Sequence, residues 1–133
     1  MTAKEYLEQI NLFNIRIRHR EEEIKDLERI QTEHASFIDE RTSQDLKIIN
    51  ERASQALKND INQRDQIIGQ ILNLKKKRHL TYLYLRYVKG LSHSLIADIM
   101  HMSSIRYVYS IQKASLQDFQ ETYKDHLMTQ SIH

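Results

Sequence analysis

Arg106, Ser110 and Lys113 follow one another at steps of four and three residues, with Tyr107 and Tyr109 between them. On a helix those steps bring the three side chains to one face. A guanidinium can fork onto a guanine edge or a phosphate, Ser and Tyr hydroxyls reach phosphate oxygens, and a Lys ammonium meets the strand backbone. Ser103 and Ser104 add two hydroxyls just ahead, and Lys75, Lys76, Lys77 and Arg78 form an unbroken basic block upstream. Together these residue types suit contact with double-stranded DNA. Taken alone, the Lys75–Arg78 block is equally the pattern of a solvated tract.

Other chemistries lack their residues. The chain has no Cys, which removes thiolate catalysis and disulfides and is compatible with a reducing cytosol. Of its seven His, His79, His93 and His101 stand at irregular intervals that match no zinc-ligand spacing. Glu21, Glu22 and Glu23 are consecutive, so on a helix their carboxylates diverge and form a solvated face. No Gly-rich phosphate loop or nucleophile elbow is present. The expectation is a protein that is not an enzyme and holds neither metal nor cofactor.

Residues that reach DNA must be mounted on something rigid, and here the mount is helical. Pro is absent and Gly occurs only at 69 and 90, where 133 residues of average usage would hold roughly 7 Pro and 9 Gly. Sheets and winding loops need such turn residues, so the fold class is all-α. A hydrophobic content of 40% suits a folded chain, and 29% charge suits long solvated helices. No run reaches the roughly 18–20 apolar residues of a membrane span. Met1–Ile10 carries charges where a signal peptide needs an apolar core.

The net charge of +2 is unevenly spread. Residues 1–40 hold 6 Lys and Arg against 10 Asp and Glu, a balance of −4. Residues 75–113 hold 8 Lys and Arg against Asp98 alone, a balance of +7. A basic stretch of that kind is the electrostatic footprint of a nucleic-acid binder.

The basic stretch contains three apolar-periodic segments between Leu80 and Leu116. Leu80, Leu83, Tyr84 and Tyr87 give the first an inward face, and Gly90 suits the left-handed conformation beyond a helix end. Ser92 is placed to cap the second, with Leu95, Ile96, Ile99 and Met100 inward and Ala97 small enough for a close helix crossing. His101, Met102 and Ser103 fall in a turn. Ser104 then caps a third helix whose inward residues are Ile105, Val108, Ile111, Ser115 and Leu116. This is the layout of a helix-turn-helix, with the third helix entering the major groove. Phe119, Tyr123 and Leu127 extend an amphipathic helix to about Met128, and Thr129–His133 should fray.

Two long amphipathic segments come before it. From Ala3 to about Ala35, Leu7, Ile10, Phe13 (or Asn14), Ile17, Ile24, Leu27 and Ile30 form a heptad-like seam interrupted at Arg20 and Glu21. Residues 36–43 break the period, with Ser43 or Thr42 as a cap. Leu46, Ile49, Ala53, Leu57, Ile61, Ile67 or Ile68, Ile71 and Leu74 then continue a stripe to about Lys77. Neither stripe can bury itself, so the two helices should fold back as an antiparallel hairpin. A two-helix hairpin covers one face of each helix, which leaves a homodimer as an option. The expected domains are a helical hairpin over 1–78 and a helix-turn-helix with a C-terminal helical tail over 79–133.

The run Leu85-Arg86-Tyr87-Val88-Lys89-Gly90-Leu91-Ser92, then Ile96-Ala97, then Val108, Ile111 and Leu116 resembles region four of bacterial sigma factors. Nearly the whole chain, including Thr2-Ala3-Lys4-Glu5-Tyr6-Leu7, is similar to small phage- and prophage-encoded proteins grouped with late-transcription regulators of the ArpU and RinA type. That family usually has Gly in the turn, where this chain has His101-Met102. The resemblance implies a phage-type regulator binding DNA in the bacterial cytoplasm, with RNA polymerase as a candidate partner. Nothing resembling the other sigma regions is present. An interaction module or inhibitor acting on a host or phage protein is the alternative, drawn from the crowding of Tyr82, Tyr84, Tyr87, Tyr107 and Tyr109. A DNA-packaging recognition subunit is a third reading.

Overall fold

Helix dominates the chain, and among the described residues there is no strand. The computed structural model describes residues 1–130. The elements are α1 (Ala3–Glu33), a 3₁₀ turn (Ala35–Phe37), α2 (Glu40–Leu72), α3 (Lys77–Leu83) continued by a π-helical turn (Tyr84–Val88), α4 (His93–Ile99), α5 (Ile105–Thr122) and α6 (Lys124–Thr129). None of the helices is long and apolar enough to cross a membrane, among the described residues.

Local chemistry sets the helix starts. Thr2 and Glu5 satisfy each other's backbone at the head of α1: Glu5 N–H donates to Thr2 Oγ1 at 3.1 Å and Thr2 N–H to Glu5 Oε1 at 3.2 Å. Hydrogen bonding of its carboxylate with the Thr2 side chain, and then with the Thr2 backbone, holds the Glu5 carboxyl below its usual range. At the head of α2 the cap is Asp39, whose Oδ1 accepts from Thr42 N–H at 2.7 Å. The expected caps, Ser43 and Thr42, lie inside the helix instead, because a carboxylate at Asp39 already serves the exposed N–H groups and favours the positive helix end.

The chain forms two compact units, Phe13–Arg64 and Met1–Leu12 together with the chain from Asp65 onward. The division crosses both long helices and does not fall at residue 78.

Within Phe13–Arg64 the two helical segments run antiparallel. Arg64 donates to Asn14 Oδ1 at 3.1 Å, while Arg16 and Arg20 reach Asp60 at 3.3 and 2.7 Å, so rising numbers on one strand of the pair meet falling numbers on the other. The seam is well covered only near these bonds, where Phe13 and Ile17 are buried. Ile24 and Leu27 are half-buried, and Ile30, Ile48 and Ile49 are exposed. Asp60 is 5% exposed and takes both guanidinium groups. The charge that interrupts the heptad at Arg20 thus has a partner across the seam.

The second unit is built on fully buried Leu7, Ile10, Ile71, Tyr82, Leu83, Ile96, Val108, Phe119 and Leu127. The start of α1 is tied to helices far along the chain: Ala3 N–H donates to Gln120 Oε1 at 2.8 Å, and the Tyr6 ring lies 6.0 Å from Phe119. Tyr6 Oη donates to Gln70 Oε1 and sits 3.1 Å from His126 Nε2, and burial pushes this phenol up to about 12. Tyr123 Oη donates to the Gln70 carbonyl at 2.6 Å. The helical tail is therefore packed against this unit. It is also broken at Tyr123, which separates α5 from α6. Of the expected frayed end, Thr129 closes α6, and residues 131–133 lie outside the described residues.

The second long helix stops at Leu72, earlier than expected. Leu74, 5% exposed, anchors the following turn; Lys75 and Lys76 lie on that turn, and Lys77 and Arg78 open α3. At the other end, Lys89 N–H donates to Tyr84 O and Leu91 N–H to Leu85 O, a wide closure completed by Arg86 donating to Leu91 O at 2.9 Å. Gly90 then takes φ +67°. A Cβ there meets no atom within 4 Å, so the cost of Gly90→Ala is backbone strain alone. It should lower stability by roughly 1–2 kcal/mol, read as a lower urea midpoint with unchanged slope. A midpoint equal to wild type would show that the closure does not depend on that conformation.

Candidate nucleic-acid interface

The sequence of α5 sorts its side chains by face. Val108, Ser115 and Phe119 are buried, at steps of seven and four, which aims the opposite side at solvent. Arg106, Ser110 and Lys113 lie there, all exposed. Tyr107 and Tyr109 flank them at 56% and 54% exposure. Ser104 caps the helix, its Oγ accepting from Arg106 N–H at 3.1 Å. Among the described residues neither Arg106 nor Lys113 has an ion-pair partner.

α4 is held against α5 by few residues. Ser92 Oγ accepts from Leu95 N–H at 3.2 Å, and Ile96 and Ala97 are the buried pair. Leu95, Ile99 and Ile105, expected to point inward, are 44%, 45% and 47% exposed. A helix of two turns meets its neighbour along one line, and only Ile96 and Ala97 lie on it. Ile105 opens α5 at the rim, beside the turn.

That turn runs over residues 100–104, longer than the three residues anticipated. Met102 N–H donates to Ala97 O at 2.8 Å, and His101 takes φ 57°. His101 therefore occupies the left-handed conformation in which Gly is the usual residue and His one of the better-tolerated substitutes.

An open groove of about 470 Å³ lies beside the turn. Its walls are Arg78 from the head of α3, His101 and Ser103 from the turn, and Tyr107 and Ser110 from one shoulder of α5. Met102, Ile111 and Ala114 supply apolar lining. Of the candidate residues, the fold gathers Arg78, Ser103, Tyr107 and Ser110 here. Arg106 and Lys113 form a ridge next to the groove, seven residues apart and so nearly in line along α5. Lys75, Lys76 and Lys77 do not line the groove. His101, Met102, Ile111 and Ala114 were not anticipated as site residues; the stripe Tyr107, Ser110/Ile111, Ala114 at helical spacing was the available signal.

Tyr109 faces the other way, into an aromatic stack. Its ring meets His93 edge-on at 5.0 Å, and His93 stacks on Tyr82 at 6.2 Å while Nε2 lies 3.1 Å from the Tyr82 hydroxyl. Burial raises the Tyr82 phenol. Burial, and then the nearby Arg86, lowers His93 from its ordinary 6.5. The folded chain thus binds fewer protons at this imidazole than the unfolded chain, and stability rises with pH across that window. His93 contributes fully above about pH 6.5, and the contribution falls as pH drops toward the lowered value. Between pH 7 and 5, wild type should lose more melting temperature than His93→Gln, which keeps a polar group without titrating. Parallel losses would remove His93 as the cause.

Among the described residues no group of three His, Asp or Glu side chains converges as a metal site. No family model, curated protein or solved structure matches the chain.

Proposed function

We propose that this protein is a phage- or prophage-type, sequence-specific DNA-binding regulator of transcription, without catalytic activity, in which α5 enters the major groove. The observation that carries the reading is the outward face of α5, where Arg106, Ser110 and Lys113 are exposed and the two cations have no ion-pair partner among the described residues. Cations held on a rigid, capped helix with nothing to neutralise them favour an anionic partner. Arg78 and the hydroxyls of Ser103 and Ser110 extend that surface. Selection of bound duplexes from a random pool is the direct test. A recovered consensus supports the reading, and a pool that stays random through repeated rounds refutes sequence-specific binding.

The exposed Leu95, Ile99 and Ile105 favour a second role, contact with a protein. Apolar side chains exposed beside a basic helix suit an adaptor that holds RNA polymerase or another host or phage protein while α5 holds DNA. Leu95→Ser with Ile99→Ser should then weaken activation in a reconstituted transcription assay without changing duplex affinity.

A further inference from the structure

The groove beside the turn has a mixed lining. It offers hydrogen-bond donors and a cation, from the Arg78 guanidinium, the His101 imidazole, and the Ser103 and Ser110 hydroxyls. It also offers apolar surface, from Met102, Ile111 and Ala114. No carboxylate is among the lining residues, and Arg78 has no ion-pair partner among the described residues. An anion entering the groove therefore meets donors without like-charge repulsion.

The size and shape narrow the ligand. A space of about 470 Å³ is larger than a lone phosphate requires, and the apolar lining would be left bare by one. A sugar–phosphate unit uses both kinds of lining, with phosphate oxygens on the donors and the deoxyribose face on Met102, Ile111 and Ala114. The groove is open, so a continuous strand can pass through it.

We infer that this groove seats one sugar–phosphate unit of a DNA strand, and that α5 divides its contacts between two neighbouring surfaces. The shoulder bearing Tyr107 and Ser110 holds the backbone with Arg78. On the neighbouring ridge Arg106 remains free for base edges, and Lys113 meets the backbone further along. The inference rests on the DNA-binding reading for the source of the phosphate, while the phosphate chemistry stands on the groove itself. Backbone contacts fix register without reading sequence, and base contacts read it. Substitutions on the two surfaces should therefore differ in kind.

The test has two arms on the full chain. In the first, amide spectra are followed during titration with inorganic phosphate and with thymidine monophosphate, against chloride at matched ionic strength. Shifts confined to Arg78, Ser103, Tyr107 and Ser110, larger for the nucleotide and lost in Arg78→Ala, support the seat. A flat response, or one centred on Lys75–Lys77, overturns it. In the second, Arg78→Ala should weaken matched and scrambled duplexes by the same factor and reduce the salt slope by about one, while Arg106→Ala should alter the preference between them. If duplex binds and Arg78→Ala changes neither affinity nor slope, the seat falls and the DNA reading survives. If the nucleotide binds and no duplex does, the groove stands as a site for free phosphate compounds and the DNA reading falls.

Discussion

A chain carrying Arg106→Ala and Lys113→Ala together should bind its preferred duplex roughly a hundredfold more weakly than wild type, since one guanine fork accounts for about 1–3 kcal/mol and each 1.4 kcal/mol is tenfold. Both side chains are exposed, and neither has an ion-pair partner among the described residues. Removing them leaves nothing buried and unsatisfied, so the melting temperature should stay close to that of wild type. The single substitutions separate the two effects. Lys113→Ala should flatten the salt dependence by about one phosphate contact, and Arg106→Ala should narrow the gap between preferred and random duplexes. Fluorescence anisotropy at three salt concentrations reads all of this. A double variant that binds as wild type does would remove the outward face of α5 from the interface.

The largest stability effect should come from Phe119→Ala. Phe119 is fully buried, 6.0 Å from the Tyr6 ring and 4.7 Å from Tyr123. It joins α5 to the first turns of α1, and truncating such a residue to Ala typically costs about 3–5 kcal/mol. Small domains hold only about 5–15 kcal/mol in total. Most of the margin of this unit is therefore at stake. Denaturant unfolding should show a much lower midpoint, while Phe119→Leu, which fills more of the space, should lose less. Phe119 is buried and does not line the groove, so the folded fraction of Phe119→Ala at low temperature should keep duplex affinity. A drop in affinity at full folding would mean that Phe119 also positions the outward face of α5.

What was legible in the sequence is what depends on near neighbours. The all-α class follows from the lack of Pro and Gly, and the Ser92 and Ser104 caps and the left-handed Gly90 follow from rules that act within a turn of helix. The Thr2–Glu5 capping box was equally readable from its spacing. Periodicity was less informative about depth. It identified Leu95, Ile99 and Ile105 as apolar and in phase, but burial depends on how wide a contact α4 makes, and two turns make a narrow one. The groove depends on Arg78 meeting a shoulder of α5 some thirty residues later, which no local pattern encodes. The packing of Ala3 and Tyr6 against Gln120, Phe119 and His126 is longer-ranged still. The π turn at Tyr84–Val88 leaves no compositional trace beside ordinary helix.

Asp60 gives the long helices something the isoleucines cannot. Ile10, Ile17 and Ile24 repeat every seven residues, so a slip of one heptad between the helices would put one isoleucine where another stood at two of the three positions. The same slip would carry Asp60 away from Arg16 and Arg20 and set its carboxylate against Gln9 and Phe13 in one direction or Glu23 and Leu27 in the other. An uncompensated buried charge of that kind costs several kcal/mol. The repeat makes the pairing possible in more than one alignment, and Asp60 joins the Arg64–Asn14 and Tyr6–Gln70 bonds in removing the degeneracy. The helices are thus keyed as well as zipped.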